Sequence, residues 1–184
     1  MSKGQRLAGA LVIATISGCA TTPSSMKDMK VRAEHDPKAR FRSTGSYSWM
    51  TIPGKLAGDA RFDKTTIARR MREIIEEELG RKGYEHRGLG YRVDFMVCYY
   101  AAVEKDLDAQ NAAKQRGYTS EDVGGSGQRF EKGTLVIDIV HPETKKLMWR
   151  GIAEADIVVS VSEAEKLKRT SEAVRRILAK FPPK

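Results

Sequence analysis

A charge-free, mostly aliphatic run from Leu7 to Ile16 limits this chain more than any other feature. Lys3 and Arg6 precede it, and Ser17, Gly18 and Cys19 follow. A helix needs roughly 20 apolar residues to cross the hydrocarbon core. The run is about half that length, and Thr21-Thr22-Pro23-Ser24-Ser25 stops it. A basic start, a short apolar stretch and a small-residue cleavage zone describe a secretory signal. Residues 1–18 therefore read as a leader, and what folds does so outside the cytoplasm.

The cleavage zone is more specific than a generic signal. Ile16-Ser17-Gly18-Cys19 resembles the bacterial lipobox: an aliphatic residue, two small residues and a cysteine. That resemblance implies cleavage before Cys19, diacylation of its thiol and acylation of the new amino terminus. Each buried methylene of an acyl chain contributes about 0.8 kcal/mol, so several chains hold where one would not. Ala20 stands where an aspartate commonly retains such proteins in the inner membrane. The expected location is thus the outer membrane, facing the periplasm. Residues 19–28 read as an acylated cysteine and a short tether, with a reach of about 30 Å at most. Residues 29–184 read as a single domain.

The chain has 184 residues, 40% of them hydrophobic, enough for a core and too few for a polytopic membrane protein. The formal charge of +9 would suggest nucleic acid in a cytosolic protein. Behind a secretory leader the expected polyanions are instead lipid head groups and acidic envelope polymers, and no nucleic-acid partner is expected. Of the two cysteines, Cys19 is expected to carry lipid. Cys98 is then a lone thiol in a strand, read as a small buried hydrophobe.

Met29 to His35 alternates apolar and mostly charged residues, as a half-buried strand does. Ser43 to Met50 forms a second strand. Ile67, Ala68, Met71, Ile74, Ile75 and Leu79 share one face of a helix, with Arg69–Glu73 and Arg72–Glu76 bracing the other. Tyr91 to Ala102 is a third strand. The stretch 104–128 is a long loop, with a short helical piece near Ala109 to Lys114. Phe130 to Val140 and Leu147 to Ile157 form an antiparallel hairpin. Ser160 and Ser162 each precede a glutamate by three residues, the capping-box pattern. A final helix places Ala164, Leu167, Ser171, Val174, Ile177, Leu178 and Phe181 on one face. The order β-β-α-β-β-β-α predicts an α+β two-layer sandwich: a mostly antiparallel five-stranded sheet with two helices on one face.

Thr44-Gly45-Ser46-Tyr47-Ser48-Trp49, Lys82-Gly83-Tyr84, Asp94-Phe95-Met96-Val97, Gly133-Thr134-Leu135-Val136-Ile137-Asp138, Lys146-Leu147-Met148-Trp149-Arg150-Gly151 and Phe181-Pro182-Pro183 follow in order behind the leader and lipobox. Together they resemble the DUF4136 family of bacterial envelope lipoproteins, over nearly the whole chain after Cys19. The resemblance implies location and fold. It supplies no catalytic residue.

Motifs of chemistry are sparse. His35, His86 and His141 lack the spacing of metal ligands, and Asp106-Leu107-Asp108 lacks the rest of a calcium loop. Gly124-Gly125-Ser126-Gly127 is followed by a strand pattern, where a phosphate loop needs a helix. No cofactor, metal or catalytic residue is expected. One feature resists this plain account. The sheet face away from the helices carries Met96, Cys98, Tyr100, Val136, Val140, Met148 and Ile152 among charged residues. Either the long loop covers it, or Met96, Tyr100, Val136, Val140, Met148 and Ile152 form an interface for an envelope partner or a second copy. The leading expectation is a non-enzymatic binding or assembly module, anchored to the membrane through Cys19. The alternatives are a hydrolase of an envelope polymer with its site in the long loop, and a binder of a lipid or small amphiphile between sheet and helices.

Overall fold

Alternation in Lys-Val-Arg-Ala-Glu-His turns Val31 and Ala33 to the core, and their neighbours the other way. In the computed structural model this segment is an edge strand, paired on one side only. The structure describes residues 28–52, 55–56, 66–88, 90–102, 107–123, 129–130, 133–156 and 162–184. The strands are β1 (Lys30–His35), β2 (Gly45–Trp49), β3 (Thr51–Ile52), β4 (Lys55–Leu56), β5 (Tyr84–His86), β6 (Phe95–Ala102), β7 (Leu107–Asp108), β8 (Arg129–Phe130), β9 (Thr134–Val140) and β10 (Leu147–Glu154). The helices are α1 (Thr66–Arg81), α2 (Ala109–Gln115) and α3 (Glu163–Leu178). Among the described residues, no helix is long and apolar enough to cross a membrane.

Six strands form one sheet in the order β1-β10-β9-β6-β2-β5. The run from β1 to β6 is antiparallel, whereas β2 lies parallel to both β6 and β5. α1 and α3 pack on each other and over one face of this sheet. The apolar stripe of α1 buries Met71, Ile74, Ile75 and Leu79, and that of α3 buries Val174, Ile177 and Leu178. They close on Tyr47, Phe95, Val97, Tyr99, Ile137 and Trp149. The Ser162 hydroxyl accepts the Glu165 amide at 3.2 Å and starts α3, as the capping-box pattern predicts. Of the expected braces on α1, Arg69–Glu73 forms, and Glu172–Arg176 braces α3 in the same way. Arg72 and Glu76 instead turn onto Trp49. The guanidinium lies 4.9 Å from its ring centroid, and the carboxylate accepts its indole N–H at 2.9 Å.

Two parts of the expected architecture need correction. The sheet has six strands and is mixed, where five mostly antiparallel strands were expected. The added strand, β5, has three residues, too few for a period to show. It follows α1, and a strand–helix–strand crossover brings it back parallel to β2. The second correction concerns layers. Helices do not occupy one face only, because α2 lies on the other.

Strand direction sorts the chain to two ends. Lys30, Ala102, Thr134 and Glu154 share one end, where the first described residues lead into β1. His35, Gly45, Tyr84, Phe95, Val140 and Leu147 share the other, together with the last turn of α1. Phe181, just past α3, packs there against Phe41 and Tyr84.

Candidate functional site

The sheet face away from α1 and α3 carries the densest polar chemistry of the described residues. Cys98, Asp138 and Arg150 sit side by side on β6, β9 and β10, set by the register that pairs Cys98 with Asp138 and Asp138 with Arg150. Arg150 donates through Nε to Asp138 Oδ1 at 2.8 Å and through a terminal nitrogen to Oδ2 at 2.7 Å. This two-pronged geometry is the strong form of the carboxylate–guanidinium contact. Both side chains are sealed, at 0% and 1% exposure.

The seal is the stretch from Leu107 to Val123. Asp108 caps α2 by accepting the Asn111 amide at 2.7 Å. Small Ala109, Ala112 and Ala113 let the helix lie close over Tyr100, Val136, Val140 and Ile152. Arg116 sits with its guanidinium 4.3 Å from the Tyr100 ring centroid. The Tyr118 hydroxyl donates to Asp138 Oδ2, which makes that carboxylate the meeting point of two layers. Thr119 then joins the hairpin: its amide donates to Lys145 O, and its carbonyl accepts the Leu147 amide.

Electrostatics follow from the seal. Burial pushes the Tyr118 hydroxyl well above the ordinary tyrosine range, and the Asp138 carboxylate adds to this. Tyr118 therefore remains a donor. Tyr100 is raised for the same two reasons. Burial alone would lower the Arg150 pKa, but the adjacent Asp138 charge more than offsets it, and Arg150 stays protonated. The network neutralises itself and pins the covering segment to the sheet. Asp138 has no solvent-facing oxygen from which to take a substrate proton.

The six positions expected to form an interface are placed as follows. Tyr100, Val136, Val140 and Ile152 are buried beneath α2 and its neighbours, and Met96 is partly buried against them. Of the two alternatives expected for this face, the covering one is seen: Ala109 to Val123, within the long loop, lies over it. Met148 belongs to the opposite core, because a bulge between Leu147 and Trp149 breaks the alternation there. Cys98 is a buried thiol. Cys19, the leader and residues 20–27 lie outside the described residues, as do 103–106 and 124–128 of the long loop. His141 accepts the amides of Glu143 and Thr144 and so shapes a turn. His35 and His86 are exposed. Among the described residues no metal-binding group of His, Cys, Asp and Glu occurs. In the sequence alone nothing singles out Tyr118, and Asp138 and Arg150 are two of the charged residues on the outer face. The available signal was two opposite charges amid Val136, Val140 and Ile152.

Cys98 can report on the seal. In a Cys19→Ser background it is the one remaining thiol. Tyr118→Phe removes a hydrogen bond to a charged acceptor, a contribution of about 1.5–3 kcal/mol. Reaction of Cys98 with a thiol reagent in native buffer should then quicken about tenfold or more. An unchanged rate would show that the covering segment is held by something other than this bond.

A family model described as a domain of unknown function, DUF4136, matches residues 31–183. No curated protein sequence matches. Among solved structures, a DUF4136 family protein from Bacteroides thetaiotaomicron VPI-5482 superposes with a TM-score of 0.59 at 12% identity, over 84% of this chain and 96% of that one. A PDZ domain protein from Parabacteroides distasonis ATCC 8503 gives 0.50 at 10% identity, over 85% of this chain and 37% of the other. A PelC dodecamer from Paraburkholderia phytofirmans gives 0.45 at 9% identity, over 82% and 96%. Identities this low bear on fold alone.

Proposed function

The chain belongs to the DUF4136 family, and from that premise we propose that it is a lipid-anchored protein of the bacterial envelope, a non-enzymatic binding or assembly module at the periplasmic face of the outer membrane. The observation that carries this reading is Ile16-Ser17-Gly18-Cys19, closing a short apolar run behind Lys3 and Arg6. Acyl chains on Cys19 hold the module, and a tether of nine residues keeps it near its own bilayer. The buried network supports a structural use of the domain's strongest charges. Asp138 and Arg150 tie the covering segment to the sheet, so any partner, whether an envelope protein or a second copy, meets the outer surface.

Intact-mass analysis of protein extracted from membranes of its native cell tests the anchor. The expected mass is that of a chain beginning at Cys19 plus its acyl groups. Cys19→Ser is expected to remain uncleaved and to take up no labelled palmitate. A parent chain recovered unmodified and still beginning at Met1 would overturn the proposal.

A further inference from the structure

The end of the domain opposite the tether has a charge pattern that the anchor does not explain. The segment joining β1 to β2 crosses that end, because its two strands lie far apart in the sheet. Along it exposure alternates: Lys38, Arg40 and Arg42 point out, while Ala39 and Phe41 pack on the core. Phe41 meets Phe181 edge to face at 5.2 Å. Phe181 is flanked by exposed Lys180, and Lys184 follows it. Lys82 arrives on the same side, where Gly83 O accepts the Gly45 amide. Six cations thus lie on the segments that meet at this end.

The carboxylates within reach are already engaged. Asp36 accepts the Lys38 amide at 2.8 Å. Asp94 accepts the Ser46 amide at 2.7 Å and lies 3.7 Å from Arg42, itself 80% exposed. Lys38, Arg40, Lys82, Lys180 and Lys184 have no ion-pair partner among the described residues. Cations left unpaired and held in a row on an ordered frame create a directed positive field.

We propose that this end is a docking surface for a linear, carboxylate-bearing polymer of the envelope. A compact anion would call for converging, buried donors, and these donors are strung out, all of them exposed except half-buried Lys82. Lipid head groups would be met at the tether's end, and this surface lies at the other end of the strands. Arg40 and Arg42 supply planar forks suited to carboxylates, and Lys38, Lys82, Lys180 and Lys184 add point charges along the path. The orientation rests on the anchoring proposed above. The charge cluster does not.

The test uses the full acylated chain in phosphatidylcholine nanodiscs, with fluorescent oligogalacturonate as the polymer probe. Binding is expected in low salt and should weaken steeply as salt rises. Lys38→Ser, Arg40→Ser and Arg42→Ser combined should lower affinity about threefold to a hundredfold, since exposed ion pairs contribute about 0.2–1 kcal/mol each. Lys166→Ser with Lys168→Ser, near the start of α3, should leave it unchanged. Lys180→Ser with Lys184→Ser is a second, independent variant should the triple one fold poorly, and it too should weaken binding. Equal binding by parent and far-end variants would overturn the inference. So would phosphatidylglycerol vesicles that displace the probe from these same residues. If Cys19 is unmodified but the variants lose the probe, only the orientation fails. If Cys19 is acylated and the probe does not bind, only this inference fails.

Discussion

Asp138→Ala should cost about 3–5 kcal/mol of folding stability, the usual effect of stranding one member of a buried ion pair. Arg150 would remain charged, 1% exposed, with its two-pronged partner gone. The Tyr118 hydroxyl would lose its acceptor in the same step. A domain of this size has roughly 5–15 kcal/mol in total, so the variant should sit near the edge of folding. Urea unfolding followed by tryptophan fluorescence measures the loss as a lower midpoint. The companion variant separates two causes. Asp138→Leu, Arg150→Met and Tyr118→Phe together remove both charges and the dependent hydroxyl. That combination should restore most of the stability or exceed the parent, because desolvating an ion pair costs about as much as the pair returns. A loss below about 1 kcal/mol for Asp138→Ala would mean that water reaches the pair and the seal is loose.

How far the sequence foretold this network depends on the range of the information. Helix and strand periods are local, and they were readable. Met71 to Leu79 and Val174 to Leu178 fall on the expected faces, the hairpin expected over Phe130 to Ile157 forms between Thr134 and Glu154, and Ala109 to Lys114 lies in a short helix. Ser162 worked as a cap because capping needs three residues of context. Pairing is long-range, and local periods do not encode it. Nothing near β5 states that Tyr84 will lie beside Gly45. Nothing near Tyr118 names Asp138 as its acceptor. A single bulge between Leu147 and Trp149 moved Met148 to the opposite face, since alternation of period two cannot survive an extra residue. The apolar second face was legible, and a cover by the long loop was one of its two expected fates, but nothing local chose between them. Alanines at 109, 112 and 113 carry a weak hydrophobic signal even though they let α2 approach closely.

Trp149→Ala should be comparably damaging, at about 3–5 kcal/mol, for a reason of volume and not charge. Trp149 is fully buried between the sheet and the helical layer, its ring 5.2 Å from that of Phe181. Gly151, two residues along β10, makes the room. A Cβ there would collide with the Trp149 ring and with Cγ2 of Ile177. Gly151→Ala alone should therefore destabilise by about 1–3 kcal/mol through overpacking. The indole N–H of Trp149 has no hydrogen-bond partner among the described residues, so phenylalanine would remove a buried donor along with some volume. Trp149→Phe should accordingly cost less than about 1.5 kcal/mol. The two sites are coupled, since the smaller ring vacates space that an alanine methyl at 151 can enter. Trp149→Phe with Gly151→Ala should be more stable than the sum of the single losses implies, although Ile177 keeps the relief partial. A double-mutant cycle by urea unfolding, read through the remaining Trp49, measures the coupling. Strict additivity would show that Gly151 is small for Ile177 and the helix, and that the indole does not set its size.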